Sequence, residues 1–421
     1  MLIVTIQLVV IIASARLFGA LARRLGQPSV CGEIAAGLIL GPSMLGKLSP
    51  EISARIFDPS VGQILAVVSQ LGLVLLMFLI GMEFDFGHLK ENRGTALWIS
   101  VVGIVAPFVL GFGLGEGMHP ALQLTGSPLH FSLFMAAAMS ITAIPVLGRI
   151  MIEMNIHRTR IGALTISAAA VNDAIGWIIV ALITAIVRST FDPAKFAVMI
   201  GEVLVYGLVM VLVVRPALRK WATGHVRKHT GELSLNGFAA ILVMVYVSAM
   251  ITNLIGIFSI FGGFAMGAIL FDQVELRKAI LTRLNDFVTV FFLPVFFTYT
   301  GLRTDMGSMH GTLLWGCCAL VLMTATLGKF GGCMVAARAC GVSLRESAMI
   351  GALMNTRGLM ELIVINIGYD LGIIPKTVFF MLVFMAVATT YMTSPLLGTL
   401  LQGTAYMADR SAKRVSSVAK V

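Results

Sequence analysis

Apolar runs of about 20 residues follow one another along this chain from end to end, and this repetition constrains the fold more than any other feature. A helix needs about 20 apolar residues to cross the hydrocarbon core of a bilayer, whereas a transmembrane barrel shows alternating segments of about 10. Hydrophobic residues make up 58% of the chain and charged residues only 12%, against about 25% charged residues in soluble domains. The sequence therefore predicts an all-α polytopic membrane protein.

Charged residues and clusters of Gly and Pro divide the apolar runs into about thirteen predicted membrane spans. Their approximate limits are 2–20, 29–46, 62–82, 95–116, 128–153, 160–187, 196–218, 235–254, 257–272, 284–302, 311–339, 344–367 and 374–402. The ninth span is short, and the count falls to twelve if it and the eighth form one re-entrant unit. Residues 1–404 are thus predicted to form one transmembrane domain, and residues 405–421 a short cytoplasmic tail.

The distribution of Lys and Arg predicts the orientation of these spans. The segments on the side of the first loop hold 21 basic residues and the opposite segments hold 6. Because cytoplasmic loops are rich in Lys and Arg, the N-terminus is predicted outside and the C-terminus in the cytoplasm, as in a bacterial inner-membrane protein. The net charge of +10 reflects the same loops, so the lipid bilayer is an expected partner and nucleic acid is not.

Motifs of the first half recur in the same order in the second half. The pairs are GEIAAGLIL at 32–40 with GGFAMGAIL at 262–270, GMEFD at 81–85 with GLRTD at 301–305, and SIT at 140–142 with NTR at 355–357. The predicted repeats cover about 1–190 and 235–404, with a linker helix at about 196–220. A single span between the copies requires the second copy to be inverted in the membrane, and inverted repeats are typical of secondary transporters.

One acid interrupts the sixth predicted span, where the segment GALTISAAAVNDAIGW at 162–177 contains Asp173 and no basic residue. A charge at the bilayer centre costs at least about 2.5 to 3.5 kcal/mol, so it usually marks an ion or proton path. The carboxylate suits Na+, K+ or a proton, but not both kinds at once. Asn172 cannot titrate, so the pair offers one proton carrier, which favours electroneutral exchange. The alternative is a structural ion pair with a neighbouring helix.

Two other spans carry residues that disfavour a continuous helix. In the fifth, Ser140, Thr142 and Pro145 stand close together, and Pro145 removes an amide donor. In the twelfth, the run ALMNTRGLMELI at 352–363 combines Asn, Thr, Arg and Gly. We expect both spans to unwind there, although a simple proline kink is the alternative for the fifth. Non-helical backbone at this depth is tolerated only in a cavity or inside protein, so two matching breaks indicate a binding site.

Two basic residues are predicted at the same depth as Asp173. Lys329 in the eleventh span is either a counter-charge to Asp173 or a second titrating group that leaves as the cation arrives. Arg357 keeps its charge, so it is predicted to neutralise half-helix carbonyl groups or to pair with Glu33 or Glu361. Glu361 lies one helical turn beyond Arg357, where it can serve as its partner.

The remaining motifs suggest no cofactor. The five cysteines lie in apolar surroundings without a CxxC pair, which predicts small buried residues rather than disulfides or a metal site. No Gly-rich nucleotide-binding pattern follows a strand pattern. The transported Na+ or K+ and the proton are therefore the only expected ligands, and a transporter is expected rather than an enzyme.

The segments AAAVNDAIGW, SITAIPVLGR, GEIAAGLILGP, LGKFGG and NTRGLMELIVINIG together resemble the monovalent cation:proton antiporters of the second family, which include potassium efflux systems and plant cation/proton exchangers. The resemblance covers essentially the whole chain. It implies thirteen helices in two inverted repeats, a dimerisation domain and hence a homodimer, and a core with two crossed broken helices that moves elevator-fashion. It also implies that Asp173 is the ion and proton site, Asn172 its partner, Thr142 and Ala143 part of the crossing, and Lys329 the core lysine.

Two departures from the family pattern affect these expectations. Electrogenic relatives carry Asp-Asp with the lysine paired to the first acid, so Asn172 is expected to leave Lys329 without that partner. Many members also append a soluble regulatory domain, for which this sequence leaves no room, and a separate regulatory subunit stays open as an alternative. A cation channel and a sodium-coupled organic anion carrier stay open as alternatives. One carboxylate does not distinguish Na+ from K+, because selectivity depends on cavity size and ligand number.

Overall fold

The computed structural model of the protein describes residues 2–27, 29–57, 62–83, 93–154, 156, 159–188, 193–228 and 233–402, and all regular structure in these ranges is helical. The first ten α-helices are α1 Leu2–Arg24, α2 Ser29–Leu40, α3 Leu45–Leu48, α4 Pro50–Ile56, α5 Gly62–Glu83, α6 Arg93–Ala121, α7 Pro128–Ser140, α8 Ile144–Glu153, α9 Arg160–Arg188 and α10 Pro193–Val209. The second ten are α11 Arg215–Lys228, α12 Leu235–Ile255, α13 Ser259–Ala268, α14 Val274–Phe287, α15 Leu293–Arg303, α16 Gly311–Thr326, α17 Gly332–Ala339, α18 Leu344–Met354, α19 Leu359–Asp370 and α20 Lys376–Leu401. The predicted tail at 405–421 and the last two residues of the GMEFD motif lie outside the described residues.

Three π-helical turns join successive α-helices into longer segments. They are Met210–Val214 between α10 and α11, Val288–Phe292 between α14 and α15, and Leu327–Gly331 between α16 and α17. Such turns insert an extra residue into the helical hydrogen-bond pattern and are often found at functional sites. The third of them contains Lys329.

Within the described residues, nine helical segments are long and apolar enough to cross a membrane. They are Leu2–Arg24, Gly62–Met82, Gly94–Ala121, Arg160–Val187, Ala197–Trp221, Leu235–Ile255, Val274–Ser308, Gly311–Ala339 and Lys376–Leu401. Helices α18 and α19 make a tenth if they are counted as one bent span. The all-helical membrane architecture is confirmed, but thirteen spans are not.

Two of the predicted spans contain short helices. The ranges 29–46 and 257–272 contain α2 and α13, which have 12 and 10 residues. At 1.5 Å per residue these helices reach only about 18 and 15 Å, well short of the roughly 30 Å hydrocarbon core. Composition cannot make this distinction, because a short helix packed inside a membrane protein is as apolar as one that crosses the bilayer.

A stripe of exposed aliphatic side chains runs along α10 and the π-helical turn that follows it. Leu204, Leu208 and Leu212 stand four residues apart, and each is at least 60% exposed. Residues at this spacing lie on one face of a helix, and soluble proteins rarely expose so continuous an apolar surface. Lipid is the solvent that suits this face.

The chain folds into two compact units, each built from separate stretches of sequence. Unit 1 comprises Met1–Arg16, Ala36–Gly87 and Trp177–Arg303, and unit 2 comprises Leu17–Ala35, His88–Gly176 and Thr304–Val421. Each unit therefore combines segments from both halves of the sequence. All the residues proposed above for the ion site belong to unit 2.

Glycines in unit 1 allow helices from the two halves of the chain to approach closely. A Cβ atom on Gly267 of α13 would lie 2.1 Å from the carbonyl oxygen of Phe78 in α5, and one on Gly37 of α2 would lie 2.4 Å from that of Phe297 in α15. Only glycine fits such contacts, as at other close helix crossings in membranes. Gly37 and Gly267 hold the same place in the GEIAAGLIL and GGFAMGAIL motifs, and each packs against a helix from the other half of the chain.

The interior of unit 2 contains two helices that are buried along much of their length. Every residue of α19 from Leu359 to Gly368 is buried, and so is every residue of α7 from Phe134 to Ser140. A helix that is apolar on all sides must be surrounded by protein or lipid. Here it is protein, which places the C-terminal end of α7 and the N-terminal end of α19 away from lipid.

Candidate functional site

Both predicted helix breaks are present in unit 2. Helix α7 ends at Ser140 and α8 begins at Ile144, so Ile141, Thr142 and Ala143 are not helical. Helix α18 ends at Met354 and α19 begins at Leu359, so four residues separate them, and the two helices are bent by 44°. The side chain of Pro145 lies outside the described set.

The two breaks contact each other through their backbones. The N–H of Ala143 donates a hydrogen bond of 3.2 Å to the carbonyl oxygen of Thr356. The hydroxyl of Thr142 lies 3.4 Å from the carbonyl oxygen of Met354, the last residue of α18. Ala143 therefore contributes its amide to the contact between the breaks, and Thr142 its hydroxyl.

Two buried cations bind the carbonyl end of α7. Arg357 donates from Nη1 to the oxygen of Ala138 at 2.8 Å and from Nη2 to that of Met139 at 2.6 Å. The ammonium group of Lys329 donates to the oxygen of Ser140. The last carbonyl groups of a helix lack intrahelical donors and carry partial negative charge. The cations supply both the donors and the compensating charge.

Arg357 also forms a buried ion pair. Its Nη1 atom lies 3.2 Å from Oε1 of Glu361, and both side chains are at most 1% exposed. Arg357 thus makes both interactions that the sequence offered as alternatives, and the acid is Glu361. Removing one partner of a buried pair leaves an uncompensated charge, which is strongly destabilising. The pair is therefore a fixed part of the site.

Lys329 is fully buried, and its ammonium group binds three neutral oxygen atoms. Besides the carbonyl of Ser140, these are the carbonyl oxygen of Gly103 in α6 at 2.8 Å and Oδ1 of Asn172 at 3.2 Å. A lysine ammonium has three donors, so all of them are used. Asn172 gives Lys329 no acidic partner, but its amide oxygen accepts a hydrogen bond from the ammonium group.

Asp173 is the one acid of the site that holds no protein partner among the described residues. It is 2% exposed, and neither carboxyl oxygen has a hydrogen-bond partner there. The adjacent Oδ1 of Asn172 accepts bonds from Thr142 and Lys329, each 3.2 Å long. Burying an ionised carboxylate without a partner is very costly. A bound proton or cation would neutralise this charge, and neither carboxyl oxygen is used by another described residue.

Ser140 enters the site through its backbone rather than its side chain. Its hydroxyl donates a hydrogen bond of 2.6 Å to the carbonyl oxygen of Ala136, within α7. Such bonds to the preceding turn are common for serine in helices. The carbonyl group of Ser140 binds Lys329, and the role of Ser140 in ion binding stays a prediction.

Two threonines of α20, which the sequence does not predict as site residues, bond to the break between α18 and α19. The hydroxyl of Thr390 accepts from the N–H of Arg357 at 3.0 Å and donates to the carbonyl of the same residue at 2.5 Å. Thr393 lies 3.4 Å from the hydroxyl of Thr356. The two bonds of Thr390 satisfy backbone groups of Arg357 that the break in the helix leaves without their helical partners. The only sequence signal is the polar run TTYMTS at 389–394 within an apolar span.

No group of three or more His, Cys, Asp or Glu side chains could hold a metal ion within the described ranges. The cysteines require one correction. Cys31, Cys317, Cys318 and Cys333 are buried as expected, but Cys340 is exposed. It follows the last residue of α17, where the chain turns through Gly341, so apolar neighbours in sequence do not cover it.

The exposed apolar helices, the two contacting breaks and the buried carboxylate define an integral membrane protein of the transporter class. The family described as "Sodium/hydrogen exchanger, transmembrane" matches residues 10–403, and the chain belongs to this family of monovalent cation:proton antiporters.

Individual relatives agree with this assignment, and a solved structure has a similar fold. The chain is 41% identical over 398 residues to the Na(+)/H(+) antiporter NhaS4 of Synechocystis, covering 94% of this chain and 96% of that protein. It is 36% identical to Cation/H(+) antiporter 17 of Arabidopsis thaliana, covering 93% of this chain but only 47% of the plant protein. The fold is similar to that of the sodium proton antiporter MjNhaP1 from Methanocaldococcus jannaschii, with a TM-score of 0.65, 16% identity, and coverage of 93% and 97% of the two chains.

Proposed function

We propose that this protein exchanges a monovalent cation, Na+ or K+, for H+ across the membrane, and that Asp173 binds the cation and the proton in turn. The observation that carries the proposal is the buried Asp173 carboxyl, whose two oxygens have no partner among the described residues. The names of the Synechocystis and Arabidopsis relatives support the same activity. Asn172 precedes Asp173 in the sequence and accepts a hydrogen bond from the hydroxyl of Thr142, and these two residues complete the proposed site.

We propose one-for-one, electroneutral exchange. Asn172 is neutral, and the three donors of Lys329 are bound to neutral oxygens. Arg357 and Glu361 are paired with each other. Asp173 is then the single group that alternates between proton and cation, so one proton leaves as one cation binds.

Alternating access, assembly and orientation follow from the family resemblance and from the Lys and Arg distribution. The part of the protein that carries Asp173 moves in an elevator fashion and exposes the site to one side at a time. The protein functions as a homodimer in a bacterial inner membrane, and each chain contains two inverted repeats. Its N-terminus is outside and its C-terminus is cytoplasmic.

The test is dissipation of an imposed pH gradient in proteoliposomes after addition of Li+, Na+, K+ or Rb+, with and without a clamped membrane potential. Wild-type protein should respond to Na+ or K+ at the same rate under both conditions. Asp173→Asn should abolish the response while the protein stays folded, and Asp286→Asn, a change at an exposed acid, should not. An unchanged rate in Asp173→Asn contradicts the role of this residue, and an uncoupled current indicates a channel.

A further inference from the structure

Helix α6 contains an internal proline opposite Lys329. Pro107 lies within α6, and a proline has no N–H to donate to the carbonyl group four residues earlier. That carbonyl group belongs to Gly103. Its oxygen accepts the 2.8 Å hydrogen bond from the ammonium group of Lys329. Because of Pro107, the carbonyl oxygen of Gly103 has no N–H partner four residues later, and it accepts the hydrogen bond from Lys329 instead.

The turn that carries Lys329 packs directly against this proline. A Cβ atom on Gly328, in the π-helical turn Leu327–Gly331, would lie 2.8 Å from Cα of Pro107. The glycine lets the two backbones approach, and the approach brings the lysine side chain within reach of Gly103. Pro107 thus determines both the available acceptor and the distance to it.

We propose that Pro107 is a positioning residue that acts through Lys329, keeping its ammonium group on neutral oxygens so that the Asp173 carboxylate stays available to the transported cation. This inference rests on the proposed role of Asp173. Pro107 would then affect transport without contacting the transported cation or the Asp173 carboxylate.

A substitution at Pro107 should redirect the lysine. Pro107→Ala restores an N–H that closes the helical hydrogen bond to Gly103, and this bond competes with the one from Lys329. Ala retains the Cα and Cβ atoms that face Gly328. The ammonium group, with a weaker third acceptor, can pair with Asp173, the residue next to its present partner Asn172. The cation must then displace the ammonium, so the KM for the cation rises while kcat changes less.

The experiment compares Pro107→Ala with Pro120→Ala, a change at an exposed proline in the same helix, in the proteoliposome assay across a series of Na+ concentrations. We expect a KM increase of about tenfold for Pro107→Ala with kcat within about twofold, and wild-type constants for Pro120→Ala. In a Lys329→Gln background, Pro107→Ala should have no further effect on KM, because a double-mutant cycle isolates an effect that passes through the second residue.

The same comparison can be made without transport, from the Na+ concentration that half-maximally raises the Tm of the purified protein. Pro107→Ala should need about tenfold more Na+ than Pro120→Ala. Equal KM values and equal midpoints for the two variants overturn the inference, as does a full Pro107→Ala effect in the Lys329→Gln background. Wild-type protein that binds Na+ but does not exchange it contradicts the proposed function alone.

Discussion

At the scale of a single residue, Asn172 determines how many charges the site moves in the proposed exchange. Its Oδ1 atom accepts bonds from both Thr142 and Lys329, and it therefore occupies the position in which a second acid would pair with the lysine. A neutral amide makes these bonds without carrying a proton. In the proposed exchange, the adjacent Asp173 is left as the proton carrier.

Replacing Asn172 with Asp should make transport sensitive to voltage. The new carboxylate would stand about where Oδ1 lies, 3.2 Å from the ammonium group of Lys329, and it would add a second proton carrier. An extra charge moved across the membrane contributes about 2.3 kcal/mol per 100 mV. Exchange by Asn172→Asp should therefore accelerate or slow when the potential is clamped at different values, whereas wild-type exchange should not.

The control for this prediction is Asn172→Ser, which removes the amide without adding charge. Its exchange should be insensitive to the clamped potential, whatever its rate. Voltage dependence in the wild-type protein would contradict the assignment of Asp173 as the single carrier.

At the scale of the element, the broken helix α18 and α19 is held by side chains from α20. Thr390 satisfies both the N–H and the carbonyl group of Arg357, which lies in the break. The same arginine then binds the carbonyl end of α7 and Glu361. Thr390 thus fixes the backbone of Arg357, whose guanidinium group then contacts α7 and Glu361.

Thr390→Val should destabilise the protein. The change keeps the shape of the side chain but leaves two buried backbone groups without partners, each worth about 1 to 3 kcal/mol. The measurement is the Tm of the purified protein, which should fall clearly below that of Thr399→Val. Thr399 is exposed in the same helix and bonds only to the preceding turn. Equal Tm values for the two variants would show that the break does not depend on Thr390.

The charged residues inside the spans could be predicted from the sequence, but the groups that hydrogen-bond to them could not. Asp173, Lys329 and Arg357 stand out because a charge in an apolar run is costly and rare. Thr390 does not stand out, because serine and threonine commonly bond to their own helix in membrane proteins. The acceptor role of Gly103 belongs to a backbone carbonyl, which every residue has. It becomes visible only when Pro107 and Lys329 are seen on facing helices.

At the scale of the whole molecule, the repeat predicted from the motifs gains support from reciprocal packing. Gly37 of the first motif meets Phe297 in the second half of the chain, and Gly267 of the second motif meets Phe78 in the first half. Two related halves of one chain, each packed against the other, would produce such an arrangement. The sequence predicts the motifs but not their contacts, because spacing alone does not show which helix each glycine faces.

The orientation of the chain can be tested with a cysteine that it already has. Cys340 is exposed, and the other four cysteines are buried. It lies between Arg338 and Arg345, in a segment predicted to be cytoplasmic. A membrane-impermeant maleimide should therefore label inside-out vesicles and not intact cells. Cys340→Ser should abolish the labelling, and labelling of intact cells would place this segment outside.

The fixed charges around Asp173 have a consequence for the energy source of the exchanger. Lys329, Arg357 and Glu361 keep their charges throughout the proposed cycle, and Asp173 is neutralised by a proton on one stroke and by a cation on the other. The moving site then carries the same net charge in both directions, so the electrical work of one stroke cancels that of the return. Transport stops when the cation ratio across the membrane equals the proton ratio. Such a protein would set the cation content of a cell from its pH gradient alone, even in a cell whose membrane potential has collapsed.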